Sequence, residues 1–215
     1  MLLAVDTATA RASIALHDGL TLRAECTWEA ANRHTVTLVR HIEQLLAASE
    51  LTPGAITALA VCTGPGSYTG VRIGVAFAKG MAQGCQLPLV GVSTLDILAS
   101  AQPRDERPLV ALFAAGRQRV GYARYRWADT GWHAETPVTV VTWPELAQRI
   151  QEPVLVLGEI DAAGRKALQE ANAPVELPSP ARHLRRAGFL ADLAWERIKT
   201  DRLDDPALLL PVYAK

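Results

Sequence analysis

Apolar positions along the chain follow two rhythms, one of period two and one of helical period. Leu2 to Asp6 is a short apolar run, and Arg11 to His17 alternates in character. Asp18-Gly19 is a hairpin turn signal, and Leu20 to Thr27 is the return strand, so the chain opens with three strands. From Asn32 to Ala48 the spacing becomes helical, with Val36, Val39, Ile42, Leu45 and Leu46 on one stripe. Thr52-Pro53-Gly54 ends that helix. Ile56 to Cys62 is unbroken apolar sequence, the pattern of a strand covered on both faces. A helix follows over Ser67 to Gln83. Leu87 to Val92 is a strand after the Gly84 break. Ser93-Thr94-Leu95-Asp96 caps another helix, running to about Ala101, with a carboxylate three residues after the serine. The order to this point is βββαβαβα.

Gln102 to Pro108, Q-P-R-D-E-R-P, is charged and bracketed by prolines, which predicts a domain boundary. The first lobe is then 1–103 and the second 104–215, with the last residues returning to the first. The second lobe nearly repeats the pattern of the first. Strands are predicted at Leu109–Ala114, Val120–Trp127 and Pro137–Val141. Thr142-Trp143-Pro144-Glu145 is a capping box that opens a helix to Ile150. A strand at Val154–Leu157, a helix at Asp161–Ala171 and a short strand at Val175–Leu177 come next. Ser179-Pro180 is predicted to cap a long final helix to about Lys199, before an extended tail. Two such units imply an α/β fold, with mixed sheets flanked by helices and built twice as βββαβα-type lobes.

Composition narrows the function classes. The chain has 215 residues, 49% of them hydrophobic, with Lys+Arg and Asp+Glu equal at 22 each. Zero net charge gives no global attraction to nucleic acid or to an anionic membrane, so such a contact requires a local patch. Cys26, Cys62 and Cys85 lack C-x-x-C spacing and read as reduced, buried thiols of a cytoplasmic protein. The N-terminus reads as a first strand and not as a signal peptide. No apolar run approaches the ~18 residues of a membrane span.

The stretch Thr63 to Gly74, T-G-P-G-S-Y-T-G-V-R-I-G, is the candidate for chemistry. Val71 and Arg72 follow Gly70, so the lysine and hydroxyl of a Walker A loop are missing, and Gly64-x-Gly66 meets Gly70 one residue late for the dinucleotide fingerprint. An anion held by backbone N–H groups at the helix N-terminus remains open. Gly70, Gly74 and Ala78 are spaced four apart, as are Ala76, Gly80 and Gly84. Each helical glycine costs about 1 kcal/mol against alanine, so something must come close to this backbone. The preceding strand and a partner's helix are the two candidates.

Val5 to Thr9, Arg33 to Thr35, Gly64 to Gly74 and Leu87 to Leu95 resemble the TsaB family, also called YeaZ, as does the ending Pro211-Val212-Tyr213-Ala214-Lys215. The resemblance is strong in the first half and weak in the second. It implies the actin-like ATPase fold (ASKHA, RNase H-like), in agreement with the strand and helix order. It also implies a non-catalytic partner of the TsaD threonylcarbamoyltransferase, acting in formation of N6-threonylcarbamoyladenosine at position 37 of tRNAs reading ANN codons. A TsaE-like ATPase joins through the complex, a homodimer forms when the chain is alone, and contact with tRNA is indirect at most. In the family, a helix pair of the first lobe makes both the homodimer and the TsaD contact. Here the corresponding residues are Val36, Val39, Ile42, Leu46, Tyr68, Gly70, Val71, Gly74, Phe77, Ala78 and Met81.

No complete catalytic set is visible. The actin-like fold contacts phosphate through D-x-G-[ST], and this chain reads Asp6-Thr7-Ala8-Thr9, with alanine at the glycine. Asp6 and Thr9 are read either as polar groups near a nucleotide or as the cap of the hairpin. With Thr7, Gly64, Gly66 and Ser67 they form the residual phosphate site. ATP or ADP is its candidate ligand, and no firm cofactor is implied. His34 and His41 are seven apart, about 10 Å along a helix, too far to share one ion, so no metal site is expected. Arg117, Arg119, Arg124 and Arg126, with Tyr122, Tyr125 and Trp127 interleaved, and Arg182, Arg185 and Arg186 read as solvated faces or as RNA contacts. Many relatives read D-A-R-x-x-E here, whereas this chain has Ala114-Ala115-Gly116-Arg117-Gln118-Arg119. The alternatives are an ATP-binding phosphotransferase of the same fold and an M22-type metallopeptidase.

Overall fold

The computed structural model describes residues 1–30 and 33–214. Asn32, the expected start of the first helix, lies outside them, as does Lys215. The chain divides into two compact units, one of Met1–Ile97 with Arg186–Tyr213 and the other of Leu98–Arg185 with the last residues.

The first unit holds β1 (Leu2–Asp6), β2 (Arg11–His17), β3 (Leu22–Glu29), α1 (His34–Ala48), β4 (Ala58–Gly64), α2 (Tyr68–Cys85) and β5 (Leu89–Ser93). Its sheet runs β3-β2-β1-β4-β5. The first three strands are antiparallel, and β4 and β5 lie parallel to β1 and β4. Every residue of β1 and β4 is buried, as their unbroken apolar runs require of central strands. Val5 pairs with Val61 and with Ile14, which puts all three on the face that α2 covers, with Gly74 of α2 against Val61. Trp28 of β3 donates from Nε1 to Thr37 Oγ1 of α1, so α1 shares that face.

The glycines of α2 explain its seat. A Cβ on Gly70 would overlap the Thr7 carbonyl, and one on Gly74 would lie 2.5 Å from Thr7 Oγ1. That hydroxyl in turn donates to the Gly70 carbonyl at 2.7 Å. Gly84 does not break α2. The helix continues to Cys85, and Gln86, at φ 53°, takes the left-handed position that closes it.

The chain leaves the first unit within α3 (Thr94–Ser100). The second unit holds β6 (Leu109–Ala114), β7 (Arg119–Ala128), β8 (Gly131–Ala134), β9 (Thr139–Thr142), α4 (Trp143–Arg149), β10 (Val154–Gly158), α5 (Ala162–Glu170) and β11 (Val175–Glu176). Its sheet runs β11-β10-β6-β7-β8, with β9 also on β7. Here the third strand of the pattern is split. β8 pairs with Tyr125–Ala128 and β9 with Arg119–Tyr122, along one edge of β7. Only β9 is legible beforehand; G-W-H-A carries no alternation, and the turn before it uses Asp129 at φ 51°. The capping box of α4 forms as its sequence dictates, with Thr142 Oγ1 accepting from Glu145 N and Glu145 Oε2 accepting from Thr142 N.

The long final helix expected from Ser179 is interrupted. Pro180–His183 forms a single 3-10 turn, and α6 (Ala187–Lys199) starts seven residues after Pro180. His183 holds the chain off the helical path, because Nδ1 accepts from the Gly158 N–H at 3.2 Å and Nε2 donates to the Pro178 carbonyl at 2.9 Å. The first donors of α6 are then capped by the first sheet: Ala187 N–H by Ser13 Oγ and Gly188 N–H by Glu25 Oε1. Ser13 pairs with Asp6, on the face opposite Val5, so α6 closes the side of the sheet away from α1 and α2.

Two outcomes test these seats in chemical denaturation followed by tryptophan fluorescence. Gly74→Ala should cost about 1–3 kcal/mol through overpacking against Thr7. Gly80→Ala, where a Cβ meets nothing within 4 Å, should gain up to about 1 kcal/mol of helix propensity. Equal effects at the two positions would contradict the inward and outward assignments. Thr142→Ala should cost about 1 kcal/mol, and Thr142→Ser should restore most of it.

Candidate functional site

The residues of the residual phosphate site do come together, but they bind one another. Asp6 Oδ1 accepts from the Ala8 N–H at 2.8 Å, an Asx turn that closes strand β1. Ser67 N–H donates to the Ala8 carbonyl at 2.6 Å, and a Cβ on Gly66 would strike that same oxygen. Ser67 Oγ accepts from the Gly70 N–H at 3.3 Å, the ordinary N-cap of α2. Gly64, at φ +97°, faces the Val212 carbonyl, and Val212 N–H donates to the Thr63 carbonyl at 2.8 Å. The two turns therefore touch through their backbones. Asp6, Thr7 and Thr9 are all buried.

The interface candidates divide by exposure. Ile42, Leu46, Gly70, Val71, Gly74 and Ala78 are buried in the first unit's core. Gly70, Gly74 and Ala78 thus serve internal packing in this chain. Val36, Val39 and Tyr68 are exposed, at 68%, 48% and 57%, while Phe77 and Met81 are half-buried. The second small-residue row, Ala76, Gly80 and Gly84, faces outward, with nothing within 4 Å of a Cβ on either glycine. What remains open on α1 and α2 includes these apolar and small residues, together with Arg40, Glu43 and Gln44 of α1.

The C-terminal segment packs along α2 through contacts that the sequence does not disclose. Lys79 Nζ donates to the Ala207 and Leu209 carbonyls at 3.2 and 2.9 Å. Arg72 lies 3.7 Å over the Tyr68 ring and donates from Nε to Tyr213 Oη at 2.8 Å, and the two tyrosine rings stack at 5.2 Å. Upstream, Asp204 Oδ2 accepts from Gly91 N–H and from Arg197 Nη2, and Arg197 Nη1 donates to the Gly91 carbonyl. The signals were present in the arginine of G-V-R-I-G and the tyrosine of the P-V-Y-A-K ending, but nothing in the sequence pairs them.

The two helix histidines part company. His41 stacks on Trp28 at 4.1 Å and donates from Nδ1 to the Thr37 carbonyl. His34 is buried near Asp6, and its Nδ1 has no hydrogen-bond partner among the described residues. Among the described residues no group of three or more His, Cys, Asp or Glu is placed to hold a metal. The arginines of the second unit are largely engaged: Arg124 with Glu135 and Glu152, Arg126 with Glu135, Arg185 with Glu159, and Arg182 with Gln102. Tyr125 is buried, and Trp127 meets Trp132 edge-on. In the first unit, Arg186 pairs with Glu25.

Burial pushes His34 below the usual 6.5, against the opposing pull of the Asp6 carboxylate and the Thr9 backbone. Below pH 6.5 the unfolded chain takes up a proton that the folded chain resists, so this contribution is complete above that value and is lost as pH falls towards the folded pKa. Stability measured from about pH 7.5 to about 5.5 should decline less steeply in His34→Gln than in the wild type. An unchanged slope would contradict the assignment.

A family model described as TsaD, tRNA N6-adenosine threonylcarbamoyltransferase, matches residues 28–183. The chain is 36% identical over 155 residues to the tRNA threonylcarbamoyladenosine biosynthesis protein TsaB of Escherichia coli, covering 70% of this chain and 66% of that protein. Among solved structures, YeaZ from Pseudomonas aeruginosa matches with a TM-score of 0.78 at 26% identity, over 98% of this chain and 99% of that one. Component A of the (R)-2-hydroxyglutaryl-CoA dehydratase of Acidaminococcus fermentans matches at 0.54 and 12% identity, over 92% and 98%, a likeness of fold alone. The motifs of the first unit, the doubled βββαβα architecture and these matches agree, and the chain belongs to the TsaB (YeaZ) family, within the wider TsaD-type family of actin-like fold.

Proposed function

We propose that this chain is the non-catalytic partner of a TsaD-like threonylcarbamoyltransferase in the formation of N6-threonylcarbamoyladenosine at position 37 of tRNAs reading ANN codons. The observation that carries the reading is the outward face of the α1–α2 pair. Val36 and Val39 stand exposed on α1, and Ala76, Gly80 and Gly84 form an open row on α2, beside half-buried Phe77 and Met81. Small residues let a second helix pair approach to the 8–10 Å of close helix packing, and exposed valines supply apolar area to bury there.

The closed phosphate turn favours this reading over a phosphotransferase. Backbone N–H groups that would hold an anion are already bonded, Ser67 N to Ala8 and Gly70 N to Ser67. The same face serves the homodimer when the partner is absent, so self-association and TsaD binding exclude each other. A TsaE-like ATPase reaches this chain through the complex, tRNA contact belongs to the partner, and the setting is the cytoplasm.

Gly80→Glu places a charge on the open face at a position with no neighbour to disturb. It is expected to abolish the homodimer in sizing chromatography, to weaken TsaD binding at least ~100-fold and to stop tRNA modification in a reconstituted assay, with the thermal midpoint kept. Full binding and modification by this variant would refute the interface.

A further inference from the structure

The chain from Asp204 to Tyr213 is a strap laid antiparallel along α2. Its anchors follow one another in order: Asp204 on Gly91 and Arg197, Ala207 and Leu209 on Lys79, Val212 on Thr63, and Tyr213 on Arg72 and Tyr68. Anchors at both ends and in the middle make its conformation a fixed feature of the first unit. Leu209 turns inward onto the core, while its neighbours turn out: Leu208 is 75% exposed, Leu210 68% and Val212 50%. Pro206 to Tyr213 contains no charged residue. A strap that only closed the fold would carry its polar residues outward. This one holds an apolar row in water.

The row is continuous with the α1–α2 face. At 3.6 residues per turn, Tyr68, Arg72 and Lys79 share one side of α2, Ala76 and Gly80 lie next to it, and Phe77 beyond. The strap therefore borders the open face along one flank, and Tyr68 belongs to both. Every large hydrophobic residue with more than a third of its surface exposed, among the described residues, lies in the first unit. The strap row has no charged side chains that would select an acidic or basic partner. Resting on the partner reading above, we propose that the strap is a second docking strip of that partner. In this arrangement Leu208, Leu210 and Val212 take an uncharged apolar segment of the TsaD-like subunit, and the Arg72 clamp holds the strip in place for it.

The test compares two variants in calorimetric titration with the purified TsaD-like subunit of the same organism. One is Leu208→Asp with Leu210→Asp, both at exposed positions, and the other is Gly80→Glu. The strap variant is expected to bind at least ~10-fold more weakly, with its thermal midpoint unchanged and its self-association kept. Wild-type affinity in the strap variant together with loss in Gly80→Glu would overturn the strip and leave the α1–α2 reading standing. Wild-type affinity in both would overturn that reading and the strip with it. Loss of self-association alone in the strap variant would assign the strip to a second copy of this chain and overturn the proposal.

Discussion

The contact between the first hairpin turn and the start of α2 decides what the rest of this protein can do. The backbone of Thr7 and Ala8 fills the space that Gly66 and Gly70 leave empty, the Thr7 side chain fills that at Gly74, and the turn is bonded there through Ser67 N–H and Thr7 Oγ1. This contact fixes the rotation of α2 about its axis. With Gly70, Gly74 and Ala78 against the sheet, geometry forces Ala76, Gly80 and Gly84 to the outside. One packing contact thus buries one small-residue row and leaves the other on the surface.

That contact also marks the limit of what the sequence discloses. Strands β2 and β6, the hairpin at Asp18-Gly19, the capping box of α4 and the doubled βββαβα order are legible because each depends on neighbours in sequence. The two small-residue rows of α2 have the same spacing, and only the position of Thr7, more than sixty residues earlier, tells them apart. Likewise the break before α6 depends on His183 bonding to Gly158, and the split of β8 from β9 on how an edge strand is shared. Long-range partners win in each case over a local signal.

The charges obey the same logic. Seven arginines in two clusters suggest a nucleic-acid surface when counted along the chain. Folded, five of the seven are spent on named partners within their own unit: Arg124, Arg126, Arg182, Arg185 and Arg186. A guanidinium already matched by a carboxylate has little left for phosphate, since binding RNA there would first break the pair. Arg107 repeats the pattern. It holds the Asp105 carboxyl at about 2, through a hydrogen bond chiefly, and reaches Glu176 as well. Equal counts of acid and base are thereby expressed as local neutrality.

Arg72 is the exception. No carboxylate meets it among the described residues; its contacts are the Tyr68 ring and the Tyr213 hydroxyl, and both raise its affinity for the proton. A cation stacked on aromatic rings at a wet surface contributes modestly to stability, about 0.5–1 kcal/mol. Its larger effect is on order. By pinning Tyr213 it keeps Leu208, Leu210 and Val212 in a fixed outward register. Apolar side chains on a disordered tail would pay an ordering entropy on every encounter, whereas on a pinned strap most of that cost is met at folding. The same economy applies to α1 and α2, whose inner faces are locked into the core and whose outer faces need no rearrangement to meet a partner.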